Sequence, residues 1–166
     1  MNRGLSDIVK KSFPNIVPSV RPMFNDISIK DPHWLAGFTS GEGCFRIKIR
    51  NSSNSNKLPK VELIFQITQH KRDVILIKSF IAYLGCGHLR ERKGGLAVDF
   101  LVYKTLDLNS KIISFFEAYP ILGVKSIEFQ DFVSVIRLKN NSCHLTQKGI
   151  EQIKEIQSRM NTKRLD

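Results

Sequence analysis

Two periods alternate along this chain. From Cys44 to Arg50 the apolar residues Phe45, Ile47 and Ile49 interleave with Arg46, Lys48 and Arg50, the period-two pattern of a strand with one buried face. A polar turn follows at Asn51 to Lys57. Lys60 to Gln69 then alternates again, with Val61, Leu63, Phe65 and Ile67 inward and Lys60, Glu62, Ile64, Gln66 and Thr68 outward. Together these segments predict a hairpin. Residues 73–84 switch to helical spacing, with Ile77, Phe80, Ile81 and Leu84 on one stripe and Gly85 to end it.

The same order then returns. Residues 87–92, a Lys93-Gly94-Gly95 turn and residues 96–103 predict a second hairpin, and a helix is expected over 107–118. Here Val98, Phe100 and Val102 face inward, while His88, Arg90, Arg92, Ala97, Asp99 and Leu101 face outward. After Tyr119-Pro120 come two more helices, 125–138 and 146–160, the second carrying Ile150, Ile153 and Ile156 behind a Thr146 cap. Ahead of the first hairpin, His33 to Phe38 opens a helix that Glu42-Gly43 closes. The expected fold is α+β in the order αββαββα, a four-stranded antiparallel sheet with helices on one face and further helices at the C-terminus. Pro14, Pro18, Pro22 and Pro32 make residues 1–32 an extended arm, with a short helix at Leu5 to Lys11, so the folded domain is expected over 33–166.

Composition narrows the partners. Of 166 residues, 42% are hydrophobic and 25% charged, as in one domain with a sizeable core. Lys and Arg total 26 against 15 Asp and Glu, a net charge of +11, which favours a polyanion and puts nucleic acid first. Cys44, Cys86 and Cys143 are odd in number and show no CxxC spacing, so a reducing compartment is expected rather than a disulfide framework or zinc knuckle. No run of 18 apolar residues occurs and the N-terminus lacks a signal-peptide core, so a soluble protein without a membrane partner is expected.

The charge is placed unevenly. The outward face of the two hairpins carries Arg46, Lys48, Arg50, Lys60, His88, Arg90 and Arg92 against only Glu62 and Asp99. Arg bonds guanine bidentately, Gln66 can bond adenine, and Ile64 or Leu101 can meet a thymine methyl, so this face has the chemistry of major-groove readout as well as of phosphate attraction. Few aromatic residues interrupt it, which argues against single-stranded nucleic acid as the ligand.

The segment Leu35-Ala36-Gly37-Phe38-Thr39-Ser40-Gly41-Glu42-Gly43 resembles the nine-residue LAGLIDADG signature position for position, with Leu35, Ala36, Gly37 and Gly43 identical and Glu42 at the second acidic position. Ala36, Gly37 and Gly41 leave one helix face nearly bare, so a second helix can approach at backbone distance. The resemblance runs from about His33 to Met160. It implies a homing endonuclease whose concave sheet saddles double-stranded DNA, and whose paired signature helices, touching through Leu35, Ala36, Gly37, Ser40 and Gly41, bring one acid from each half to the scissile phosphates.

On that resemblance Glu42 is the divalent-metal ligand with the Gly41 carbonyl beside it, and Mg²⁺ is the expected metal, with Mn²⁺ or Ca²⁺ able to take its place. Phe65-Gln66-Ile67-Thr68-Gln69 looks like the strand end whose glutamine, here Gln69, positions water. Pro120 to Lys125 is similar to the segment that supplies a pocket lysine, here Lys125. The family's first acidic position is Ser40 in this chain. Asn2 to Pro22 resembles the linker of two-motif fungal organellar enzymes, so the chain looks like a C-terminal half, with a mitochondrial origin expected. One motif supplies one acid, which makes a homodimer on a near-palindromic site the expected working unit. An RNA-binding intron maturase, or a DNA-binding protein that does not cut, is the alternative on the same scaffold.

Overall fold

A computed structural model describes residues 5–17, 27–51 and 58–160. Most of the turn expected at 51–57, parts of the N-terminal arm and the last six residues lie outside them.

The elements follow the expected order. After a short helix α1 (Asp7–Ser12), α2 (Pro32–Glu42) leads into β1 (Gly43–Arg50) and β2 (Lys60–His70). Helix α3 (Val74–Leu84) leads to β3 (His88–Glu91) and β4 (Ala97–Val102). One helical run then comprises α4 (Thr105–Asp107), a π-helical stretch (Leu108–Ile113) and α5 (Ser114–Ala118), and α6 (Val124–Asn140) and α7 (Gln147–Ser158) close the described chain. The sheet is antiparallel with strand order β1-β2-β4-β3, the α+β architecture read from the sequence.

Local chemistry sets the element ends. The Asp31 carboxylate accepts from the His33 N–H at 2.9 Å and Pro32 occupies the first turn of α2, where its missing N–H costs nothing. At the other end a side chain on Gly43 would lie 2.5 Å from the Thr39 methyl and 2.6 Å from the Thr39 carbonyl, so only glycine lets α2 pass directly into β1. Helix α3 stops at Gly85, whose φ of 63° is the left-handed conformation that glycine adopts without strain.

The core lies on one side of the sheet. Phe45, Phe65, Phe100, Phe116 and Phe132 are buried there, with the Phe45 and Phe65 rings stacked at 5.1 Å and Phe116 edge-on to both. The run from Thr105 to Ala118 starts two residues before the expected helix and contains a π turn. Leu108, Ile112 and Ile113 all reach the core from that turn, and the wider winding brings adjacent Ile112 and Ile113 inward together. Helix α7 is fixed to α6 by Arg159, which donates to Asp131 at 2.9 Å, and to the sheet by Gln157, which donates to the Ile47 carbonyl at 2.8 Å. Among the described residues no helix is long and apolar enough to cross a membrane.

Candidate nucleic-acid interface and cleavage site

Strand alternation sends the even-numbered residues of β1 and β2 away from the helices. Arg46, Lys48, Arg50 and Lys60 are exposed on that open face, and Glu62, Ile64 and Thr68 are partly covered. All of these but Thr68 line a concavity of about 540 Å³ together with His88, Arg90 and Tyr103. Glu62 sits between two cations, with Arg50 at 3.1 Å and Lys60 at 3.6 Å. Arg46 and Lys48 make no ion pair among the described residues.

Three residues expected to contact a ligand are buried, although Gln66 and Leu101 still line the concavity. Asp99 is fully buried, Gln66 is 4% exposed and Leu101 is 5% exposed. The cause is the sheet itself: β2, which carries Gln66, and β4, which carries Asp99 and Leu101, are both interior strands, and long neighbouring side chains fold over them. Arg90 donates to Asp99 Oδ2 from Nε at 3.1 Å and Nη2 at 2.7 Å, and Arg92 donates from Nε to Oδ1 at 2.9 Å. Thr68 adds a 2.7 Å bond and Gln66 a 3.1 Å bond to the same carboxylate. Burial alone would raise the Asp99 pKa, but the bonds from Arg92, Arg90 and Thr68 outweigh it and hold the group below its ordinary 3.8. Asp99 and Gln66 are therefore the floor of the face rather than free contacts.

Two contributors to the concavity escape the hairpin pattern. Tyr103 stands edge-on to His88 at 5.0 Å, one strand step beyond Leu101, and its parity was available in the sequence. Lys139 comes from α6, reaches the Val61 carbonyl at 3.2 Å, and nothing in the local sequence indicated it. Burial, reinforced by nearby Lys60, lowers its pKa.

Glu42 ends α2 at the edge of this face. The Gly43↔Ile67 pair fixes the register, which continues across the sheet as Thr68↔Asp99↔Arg90 and Gln69↔Val98↔Glu91. Glu42, Gln69 and the Asp99 group thus share one end of the sheet, while Arg50 and Lys60 mark the other. Gln69 has the parity of Phe65 and Ile67, so it lies on the helix side and is half-buried. The Glu42 side chain is exposed and makes no hydrogen bond or ion pair among the described residues. The Gly41 carbonyl belongs to the last turn of α2, where carbonyls lose their intrahelical donors. An uncommitted carboxylate beside such a carbonyl fits a hard divalent cation, with water, phosphate or a second acid completing its shell. Among the described residues no group of three His, Cys, Asp or Glu side chains could hold a metal without such help.

Lys125 opens α6 and is not a free cation. Its Nζ lies 3.0 Å from Oε2 of Glu128, which is itself 5% exposed, a partner that the sequence reading missed. The i,i+3 spacing was the available signal.

Helix α2 presents a different stripe from the one expected. Leu35 and Ala36 are 0% and 3% exposed and pack into the chain's own core, so they are corrected from interface to core residues. The 100° step of the helix turns them inward when Gly37 and Gly41 face out. Nothing lies within 4 Å of a side chain built on either glycine. Ser40 is half-buried and donates to the Ala36 carbonyl at 3.0 Å. Trp34, 45% exposed, completes the outward stripe and stacks at 5.2 Å on Phe38, which is itself packed against the core.

The model of the LAGLIDADG endonuclease family matches residues 35–136, and the chain belongs to that family. It is 35% identical over 154 residues to "Probable intron-encoded endonuclease 3" of Neurospora crassa, covering 92% of this chain and 29% of that protein. Among solved structures it resembles the LAGLIDADG homing endonuclease I-SmaMI bound to cleaved DNA, with TM-score 0.88, 39% identity and coverage of 99% of this chain and 55% of that one. I-LtrWI bound to target DNA gives TM-score 0.88 and 42% identity, again covering 99% of this chain and 55% of that one. I-SmaMI has also been solved on an uncleaved DNA target in the presence of calcium ions. The chain therefore spans less than a third of the Neurospora relative and about half of each structural one.

Proposed function

We propose that this chain is one LAGLIDADG unit of a site-specific endonuclease that cuts both strands of duplex DNA with the help of a divalent metal, Mg²⁺ for preference. The observation that carries the proposal is Glu42: an exposed, uncommitted carboxylate at the end of a helix with a bare glycine face, at the edge of a basic concave sheet. A metal held by Glu42 and the Gly41 carbonyl would supply Lewis acidity and a more acidic bound water at the scissile phosphate. The residues of the chain do the rest. Arg46, Lys48, Arg50 and Lys60 draw in the phosphate backbone and offer donors to base edges. Gln69, at the Glu42 end of β2, orients the attacking water. Lys125, paired with Glu128, faces the charge that builds on the phosphoryl oxygens.

A cut in both strands needs two acids, so the exposed stripe of α2 packs against a second LAGLIDADG helix; for this 166-residue chain alone we propose a two-fold homodimer. Intron-encoded relatives support a mitochondrial setting. The test is selection of cleaved sites from a randomised duplex pool with Mg²⁺ or with chelator. Metal-dependent cutting at sites palindromic in their outer halves is expected. Recovery of no cut duplex in Mg²⁺ would contradict the nuclease reading. Gly37→Leu should abolish dimerisation and cutting together while the fold survives, and unchanged cutting by that variant would contradict the paired-helix mechanism.

A further inference from the structure

We infer that Asp99 is a specificity-determining positioning residue: buried under the open face, it fixes the guanidinium planes of Arg90 and Arg92 so that the second hairpin reads bases rather than merely attracting phosphate. The inference rests on the reading of this face as a duplex-DNA surface and goes beyond it.

The geometry is that of a clamp. Asp99 is fully buried, whereas the Arg90 and Arg92 side chains it holds are 54% and 45% exposed. An exposed arginine ordinarily samples many rotamers, and freezing it on a ligand costs binding free energy. Here that ordering is already present in the isolated chain. Arg90 commits Nε and Nη2 to Oδ2. Arg92 bridges both carboxylate oxygens through Nε, at 2.9 and 3.1 Å, and ties Nη2 to the Thr68 hydroxyl at 3.0 Å. With Nε and Nη2 engaged, the Nη1 end of each guanidinium has no partner among the described residues. Planar donors held at a fixed angle suit the paired acceptors of a guanine edge, because the gain depends on both bonds forming at once.

Charge makes the role separable from simple attraction. The group is two cations on one anion, a net single positive charge. Neutralising Asp99 would strengthen the pull on any phosphate backbone while releasing the arginines. Affinity for non-specific DNA and discrimination between sequences should therefore move in opposite directions. Loss of fold would lower both.

The test compares wild type, Asp99→Asn and Arg90→Lys by selecting bound duplexes from a randomised pool without cleavage, beside binding to a fixed random duplex across a salt series. For Asp99→Asn the preference at base pairs facing β3 and β4 should fall about fivefold or more. Preference at base pairs facing the Arg50 end of β1 and β2 should persist, and random-duplex binding should tighten at low salt. Arg90→Lys keeps the charge and loses the fork, so it should lose the same preferences; if Asp99→Asn proves unfolded by circular dichroism, Arg90→Lys decides alone. Selective wild type with unaltered preferences in both variants would overturn the inference and leave the DNA-surface reading intact. Wild type that selects no duplex sequence would overturn both.

Discussion

At the far end of the open face Glu62 is 26% exposed and loosely shared by Arg50 and Lys60, while Arg46 and Lys48 stand without ion pairs among the described residues. At the Glu42 end Asp99 is fully buried, with Arg90, Arg92, Thr68 and Gln66 all bonded to it. The two regions have similar sequence chemistry, cations around one acid, yet differ in freedom. Loose cations can adapt to a flexible phosphate backbone, whereas clamped ones hold a fixed geometry. Within one sheet the second hairpin is thus suited to stricter discrimination than the first.

The largest expected effect is on stability. Asp99→Ala should destabilise the fold by about 2 to 3 kcal/mol, because charged hydrogen bonds are lost and the partly covered Thr68 and buried Gln66 lose a partner. Glu62→Ala should cost less than about 1 kcal/mol, as for other solvent-exposed pairs. Denaturant titration of both variants checks the contrast, and equal losses would break it.

Acidity sharpens the same contrast. The Asp99 pKa is lowered in the fold, so its contribution is fully present above the ordinary value of 3.8 and is lost as pH falls through the folded value. The stability gap between wild type and Asp99→Asn should be constant near neutrality and shrink below pH 3.8. Melting curves from pH 7 down to about 2.5 would show it. A gap that widened with acid would contradict the sign.

The smallest effect is on salt dependence. Replacing Arg46 or Lys48 with Ala should reduce the slope of log affinity against log salt by about one each, with less loss of discrimination than in the second hairpin. Arg90→Ala should instead lose about 1 to 3 kcal/mol of discrimination at one or two base pairs. Uniform weakening by every substitution would erase the distinction between the hairpins.

Much of this was legible in the sequence. Alternation in 44–50 and 60–69 assigned the faces correctly, since a pleated strand alternates sides whatever surrounds it. Alternation gives the side and not the depth. Asp99 and Leu101 were on the expected face, but their burial depends on which strands flank β4 and on long neighbours folding over it. The Glu42 end of α2 was readable from its closing glycine. Its outward stripe was not: the small residues suggested Ala36 as well as Gly37 and Gly41, and only packing against the sheet decided which faced out. Lys139 depends on the placement of α6, which no local pattern in the strands encodes, whereas the Glu128 partner of Lys125 was available from their i,i+3 spacing.

The central claim is that the sheet holds duplex DNA while Glu42 at its edge enables the cut. Glu42→Gln removes the carboxylate proposed to hold the metal and leaves the basic face untouched, so the most direct measurement is cleavage and binding of one selected duplex by wild type and this variant in Mg²⁺. Binding within a few-fold of wild type with cleavage lost is the expected result. Metal-dependent cutting that persists in Glu42→Gln would contradict the account.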